Sequence, residues 1–213
     1  MFSSRPPPGR WRTAAIAGVL VSALAGCAPS QDSSASSTSR APSSSQPEAS
    51  SSAHPAWADA TYRTTCGSLV QGHLAVKLVD SVGQAPVDVS QSASYVKVDV
   101  QLEATATGNL EGDGDPDTVV LLRCTPQPSN GSVEEVHVFR ADGTELGVLP
   151  NPSTLAEASV IAPLYVPAGL TIQNGQIVAP MKAYGPDDSH ASGPTVPLTV
   201  RWTWNGRSFV RVP

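Results

Sequence analysis

Three dipeptides constrain this chain more than any other feature. Asp142-Gly143 separates VHVFRA from TELGVL, Asn174-Gly175 separates LTIQ from QIVA, and Asn205-Gly206 separates TVRWTW from RSFVRV. Tight hairpin turns hold their central residues at positive φ, which Asn, Asp and Gly adopt at least cost. A chain that reverses repeatedly in this way is built from antiparallel strands. In Ser94–Leu102, Val96, Val98, Val100 and Leu102 alternate with Lys97, Asp99 and Gln101, the period of two of a half-buried strand. Leu74–Val79 (LAVKLV) is a second β-rich run, and Thr118–Leu122 (TVVLL) is continuous enough for a strand covered on both faces. Twenty prolines, many lying between these runs, argue against long helices. The fold class expected is mostly β: an antiparallel, hairpin-built sandwich or curled sheet with at most one short helix. That helix would start at Thr154, where Thr154 and Glu157 fit a capping box, and would end before Pro163.

The strand signals begin near Trp57, and what precedes them reads differently. The first residues carry Arg5, Arg10 and Arg12 and no acid, and the apolar run AAIAGVLVSALAG follows. This is the charge and length pattern of a secretory signal, too short for the roughly 20 apolar residues of a spanning helix. It ends in Leu24-Ala25-Gly26-Cys27, which resembles the lipobox of bacterial lipoproteins. The resemblance implies cleavage after residue 26 and a diacylglycerol on Cys27. At about 0.8 kcal/mol per buried methylene, two acyl chains hold a protein firmly on a membrane. The expected location is the outer face of the cytoplasmic membrane, facing the cell wall.

Residues 27–56 are dominated by serine, with proline and alanine between and no large apolar side chain. Such a segment cannot bury enough surface to offset its ordering entropy, and it reads as a disordered tether whose ends stand roughly 30 Å apart. The expected organisation is a signal peptide over 1–26, the lipidated tether over 27–56 and a β domain over 57–213. Cleavage removes three arginines and no acid, taking the net charge from −5 to −8. A domain so acidic lacks the basic footprint that a phosphate backbone requires, so nucleic acid is not an expected partner.

With Cys27 assigned to lipid, Cys66 and Cys124 remain. In an oxidising compartment two cysteines pair, and two alone make a poor zinc site.

The stretch GNLEGDGDPDTVVLLRC, Gly108–Cys124, holds the densest chemistry. Counted from Asn109, oxygen-bearing side chains fall at Asn109, Glu111, Asp113 and Asp117, with Gly114 after the third and Asp115 able to offer its carbonyl. That rhythm is the one by which loops wrap calcium. The competing reading is a glycine-rich acidic turn that pins strand register. A structural Ca²⁺ is therefore one candidate cofactor, and no other cofactor is expected.

The same stretch, with its GDG, its paired valines and its strand ending in cysteine, resembles FG-GAP or VCBS-type elements. It is also similar to small actinobacterial secreted lipoproteins that carry a single such strand. YGPDDSHASGP and VRWTWNGRSFV resemble the C-terminal part of that group. The resemblance implies a fold rather than a reaction.

Trp202 and Trp204 alternate along one strand. A two-residue Asn205-Gly206 turn would set Trp204 opposite Arg207 and Trp202 opposite Phe209. The arrangement is either a core face or a binding surface made of Trp202, Trp204 and Arg207, on which sugar rings would stack. No nucleophile elbow, HExxH or P-loop is present. His73, His137 and His190 are scattered, and alternation places His137 with Glu135 on a polar strand face. Glu134 and Glu135 are neighbours on a strand and point to opposite sides, so they do not pair as acid and base. The functional expectation is a lipid-anchored, non-enzymatic binding module whose partner is an envelope protein or glycan. The alternatives are an envelope-acting hydrolase that recruits His137 or His190, and a calcium-stabilised surface domain.

Overall fold

The computed structural model describes residues 56–213, apart from Asn130, Ala156 and Ser159. The signal segment, Cys27 and the serine-rich tether up to residue 55 lie outside the described residues.

The two longest strands, β4 (Lys97–Gly108) and β5 (Asp117–Gln127), form the spine of a five-stranded antiparallel sheet. Strand β3 (Val82–Pro86) flanks β4, while β6 (Val133–Phe139) and then β7 (Glu145–Val148) lie beyond β5, giving the order β3-β4-β5-β6-β7. The TVVLL run is buried on both sides, as its composition requires: Val119 and Leu121 face one core, Val120 and Leu122 the other.

One cover is a two-stranded ribbon of β1 (Thr61–Thr64) and β2 (Leu74–Lys77). Its Tyr62, Leu74 and Val76 pack on Val98, Val100, Val120 and Leu122. Cys66, just past β1, is bonded to Cys124 at a Cα–Cα separation of 5.6 Å, so the ribbon is tied covalently to the central strand. The ribbon runs on into β3 so closely that a β-carbon at Gly83 would overlap the Lys77 carbonyl oxygen.

The opposite cover is a second antiparallel sheet made of β8 (Leu164–Tyr165), β9 (Thr171–Gln173), β10 (Gln176–Ala183), β11 (Val196–Trp204) and β12 (Phe209–Val212). Its order is β12-β11-β10, with β8 and β9 both pairing to the far side of β10. Ile177, Ala179, Met181, Val200, Trp202 and Phe209 close on Val119, Leu121, Val136 and Val138. The fold is thus a β-sandwich with a ribbon on its outer face.

All three turn dipeptides join paired strands. Asn174 and Gly175 stand at φ 52° and 71° in a two-residue loop, with Gln173 opposite Gln176. Asn205-Gly206 departs from the expected register. The Asn205 side-chain oxygen accepts from the backbone N–H of Arg207 and of Ser208, both at 2.9 Å, and this stretches the loop to residues 205–208. Trp204 consequently faces Phe209 and Trp202 faces Arg211.

The expected helix after Thr154 is replaced by a 3₁₀ turn at Pro152–Thr154, capped by the Asn151 side chain accepting from Ser153 N–H at 2.9 Å. Glu157, which a capping box would fold back toward Thr154, is drawn to Arg211 instead, with Oε2 2.8 Å from Nη1. No α-helix occurs among the described residues.

Candidate functional site

The site begins with a fault in the β4 ladder. Gln101 pairs with Arg123 and Leu102 with Leu122, but the next pair is Ala104 with Leu121, so Glu103 is an extra residue in a bulge. The bulge reverses the phase of side-chain alternation. Before it, Lys97, Asp99 and Gln101 share a face with Arg123; after it, Ala104 shares that face with Leu121 and Ala106 with Val119. The apolar length is covered by the second sheet. Beyond Arg123 the same face is left open as a groove of about 470 Å³ over β3, β4 and β5.

The polar floor of this groove is organised before anything binds. Arg123 lies between two carboxylates, its Nε 2.8 Å from Glu103 Oε1 and its Nη2 3.2 Å from Glu134 Oε1. Glu134 is itself buried, and its other oxygen accepts the Tyr165 backbone N–H of β8 at 2.7 Å, which anchors the guanidinium to the rim of the cover. Burial holds the Glu134 carboxyl above its ordinary range, with the Tyr165 N–H and Arg123 partly offsetting the effect. Lys97 donates to Asp99 at 3.1 Å and to Gln84 Oε1 at 3.2 Å, while Gln127 donates to the other Asp99 oxygen at 3.0 Å. The Lys97–Asp99 pair is solvent-exposed and contributes little to stability. What the network does is fix side-chain positions.

On the other face of β6 lies a second polar cluster, and it is closed. Glu135 and His137 share a polar face as expected, and the ribbon covers that face, so both side chains are buried. His137 Nδ1 lies 2.7 Å from Glu145 Oε1. His137 Nε2 lies 2.8 Å from Glu135 Oε1 but off the N–H axis, a charge pairing rather than a linear hydrogen bond. Glu135 Oε1 also accepts from Thr64 Oγ1 at 2.9 Å and Thr65 N–H at 3.2 Å, and Oε2 accepts from Thr65 Oγ1 and Gly67 N–H, each at 2.7 Å. The carboxylate thereby fills a backbone nest in which Cys66, Gly67 and Ser68 all adopt positive φ.

Burial disfavours both charges, yet the mutual pairing outweighs it. The His137 pKa is raised to about 9 by Glu135 and Glu145, and Glu135 is held down to about 2 by His137, the Gly67 N–H and Thr65. A histidine enclosed in this way clamps the disulfide-bearing turn to β6. His190, the other histidine recruited in the hydrolase alternative, is exposed beside Tyr184, with ring centroids 6.1 Å apart.

The acidic loop does not gather its oxygens around one point. Asn109 Oδ1 accepts from Gly112 N–H at 2.5 Å, Asp113 Oδ1 from Asp115 N–H at 3.1 Å and the buried Asp117 from Leu110 N–H at 2.8 Å. Glu111 is turned away into a two-pronged pair with Arg140 at 2.7 and 3.1 Å, and Asp115 is exposed. Among the described residues no three His, Cys, Asp or Glu side chains come together as a metal-holding group. The expected calcium ligands therefore do not fit an ion in this arrangement; each capping oxygen is used to fix the turn between β4 and β5. Burial raises the Asp117 pKa, with Glu111 and Asp113 adding to the rise against the Leu110 N–H.

The tryptophan surface is also reassigned. Trp202 is buried in the core between the sheets, Trp204 is half-buried against Phe209 with centroids 4.9 Å apart, and Arg207 stands exposed in the turn. The three do not form one face. Sequence reasoning missed Glu103, Arg123 and Glu134 as a set. No break in the pattern signalled it: the alternation of Val96, Val98, Val100, Leu102, Ala104 and Ala106 runs on unbroken through Glu103, so the bulge that changes their face is invisible in the sequence.

No family model, no curated protein and no solved structure matches the chain.

Proposed function

We propose that this chain is a lipid-anchored extracytoplasmic binding module of the cell envelope, and that it meets its partner with the groove over β3, β4 and β5. The anchoring half of the reading rests on the signal segment, the lipobox ending in Cys27 and the tether that holds the domain off the membrane. The binding half rests on one observation: half of a sheet face is left uncovered, and its polar side chains are already fixed by one another. Preorganised polar groups in an open cleft of several hundred Å³ are the ordinary form of a ligand site. The groove partner is an envelope component, and the membrane is engaged through the lipid rather than through the fold.

The test places a photo-crosslinking residue at Gln101 in the full-length chain, expressed in a cell that processes lipoproteins, with a control at Val210 on β12. Adducts at residue 101 exceeding those at 210, together with loss of membrane fractionation in Cys27→Ala, are expected. Equal labelling at the two positions would remove the groove as the binding surface. Unchanged fractionation of Cys27→Ala would remove the anchor.

A further inference from the structure

Resting on that reading, we infer that the groove takes a neutral, hydroxyl-rich glycan. Each cation in it is already paired: Lys97 with Asp99, and Arg123 with Glu103 and Glu134. An anionic ligand would find no unpaired cation to offset its desolvation, and the carboxylate in excess, Glu134, is buried and held by the Tyr165 N–H, so it offers nothing to a cationic one. What remains unengaged is a set of neutral or direction-giving groups. The Gln101 amide, the Gln84 Nε2 amide group, the Thr125 hydroxyl and Arg123 Nη1 line the groove and have no hydrogen-bond partner among the described residues. Amides and hydroxyls that both donate and accept match the vicinal hydroxyls of a sugar, which do the same. Val82, 56% exposed at the groove edge, supplies an apolar contact for the C–H face of a ring.

An extended peptide is the competing occupant, and the topology disfavours it. Recognition by strand addition needs an open sheet edge. Strands β4 and β5 are paired on both sides, and the edge strand β3 is taken at its start by the Val79–Val82 bridge and ends in Pro86, which has no N–H to offer.

The experiment titrates the full chain, held in detergent micelles, with maltotetraose and chitotetraose. The comparison ligands are an anionic tetragalacturonate and an uncharged oligopeptide. Amide NMR shifts at residues 84, 101 and 125 are read, with those of the Asp142-Gly143 turn as control. A neutral tetrasaccharide is expected to move the groove signals selectively. Gln84→Ala/Gln101→Ala should weaken it about tenfold, the worth of two modest hydrogen bonds, with no change in melting temperature. If the tetragalacturonate or the peptide binds and the neutral sugars do not, the glycan inference fails while the groove remains a binding site. If the sugars shift signals only outside the groove, the inference also fails. If no probe binds and crosslinking at residue 101 matches the control, the binding reading falls with it.

Discussion

Removing the Glu135 carboxylate should cost more stability than any surface ion pair in the molecule. The carboxylate accepts four hydrogen bonds from Thr64, Thr65 and Gly67 and pairs with a buried, protonated His137. Truncating one member of a buried pair leaves the other charge unpaired and costs about 3–5 kcal/mol. In Glu135→Ala the donors of the nest are orphaned as well. Glu135→Gln is a milder test, yet its NH₂ must face N–H or O–H donors whichever way the amide turns. A loss of about 4 kcal/mol is a large part of the 5–15 kcal/mol that stabilises a typical domain.

The pH dependence follows from the same contacts. The His137 pKa is raised in the fold to about 9, so its contribution is complete below the unfolded value of 6.5 and is lost as pH rises through about 9. Glu135 is lowered to about 2, so its contribution is complete above 4.5 and is lost as pH falls toward 2. The two shifts describe one interaction and count once, at about 3 kcal/mol. Urea unfolding at about pH 6 and about pH 10 should therefore differ by that amount in the parent chain. The difference should shrink in Glu135→Leu/His137→Leu, in which the pair is replaced by apolar groups. A stability that is flat across that range, or a Glu135→Ala variant that loses under about 1 kcal/mol, would refute the clamp.

Two further outcomes are expected. Reducing the Cys66–Cys124 bond opens a 58-residue separation and should lower stability by about 4 kcal/mol, measured by unfolding with and without reductant. Calcium and chelator should leave the melting temperature unchanged. Asp113→Ala should be nearly neutral, while Asp117→Ala, by orphaning the Leu110 N–H, should cost about 1–3 kcal/mol by the same melts.

The sequence made the sandwich readable because its signals are local. Alternation along Val96–Leu102, the unbroken TVVLL run and the positive-φ dipeptides each report on their own few residues, and strands with those properties have few ways to pack. The rest depended on something outside the window. His137 alternates onto the same face as Glu135, as expected, but whether that face meets water depends on a ribbon from residues 61–77. Asn205-Gly206 marks a turn correctly, yet the Asn205 side chain decides how many residues it spans, and that choice moved Trp204 from Arg207 to Phe209. The spacing of the acidic loop allowed a calcium cage. Arg140, 29 residues on, takes Glu111 out of it.

The bulge in β4 is a single extra residue, and that makes it testable. Deleting Glu103 would remove the extra residue and leave Leu102 and Ala104 as neighbours opposite Leu122 and Leu121, the pairs they already form. Val98 and Val100 would stay under the ribbon, and Ala104 and Ala106 would stay against the opposite core. What is lost is the Glu103 contact to Arg123, an ion pair of a half-exposed guanidinium that contributes about 1 kcal/mol or less. The deletion should therefore fold and melt close to the parent chain by circular dichroism. Glu103→Ala keeps the bulge and removes one of two partners of a half-exposed guanidinium, so it should fold and lose about 1 kcal/mol or less. Were the deletion to unfold the chain, Glu103 would not be a simple extra residue between two registers, and the facing of Lys97, Asp99 and Gln101 into the groove would depend on the bulge geometry itself.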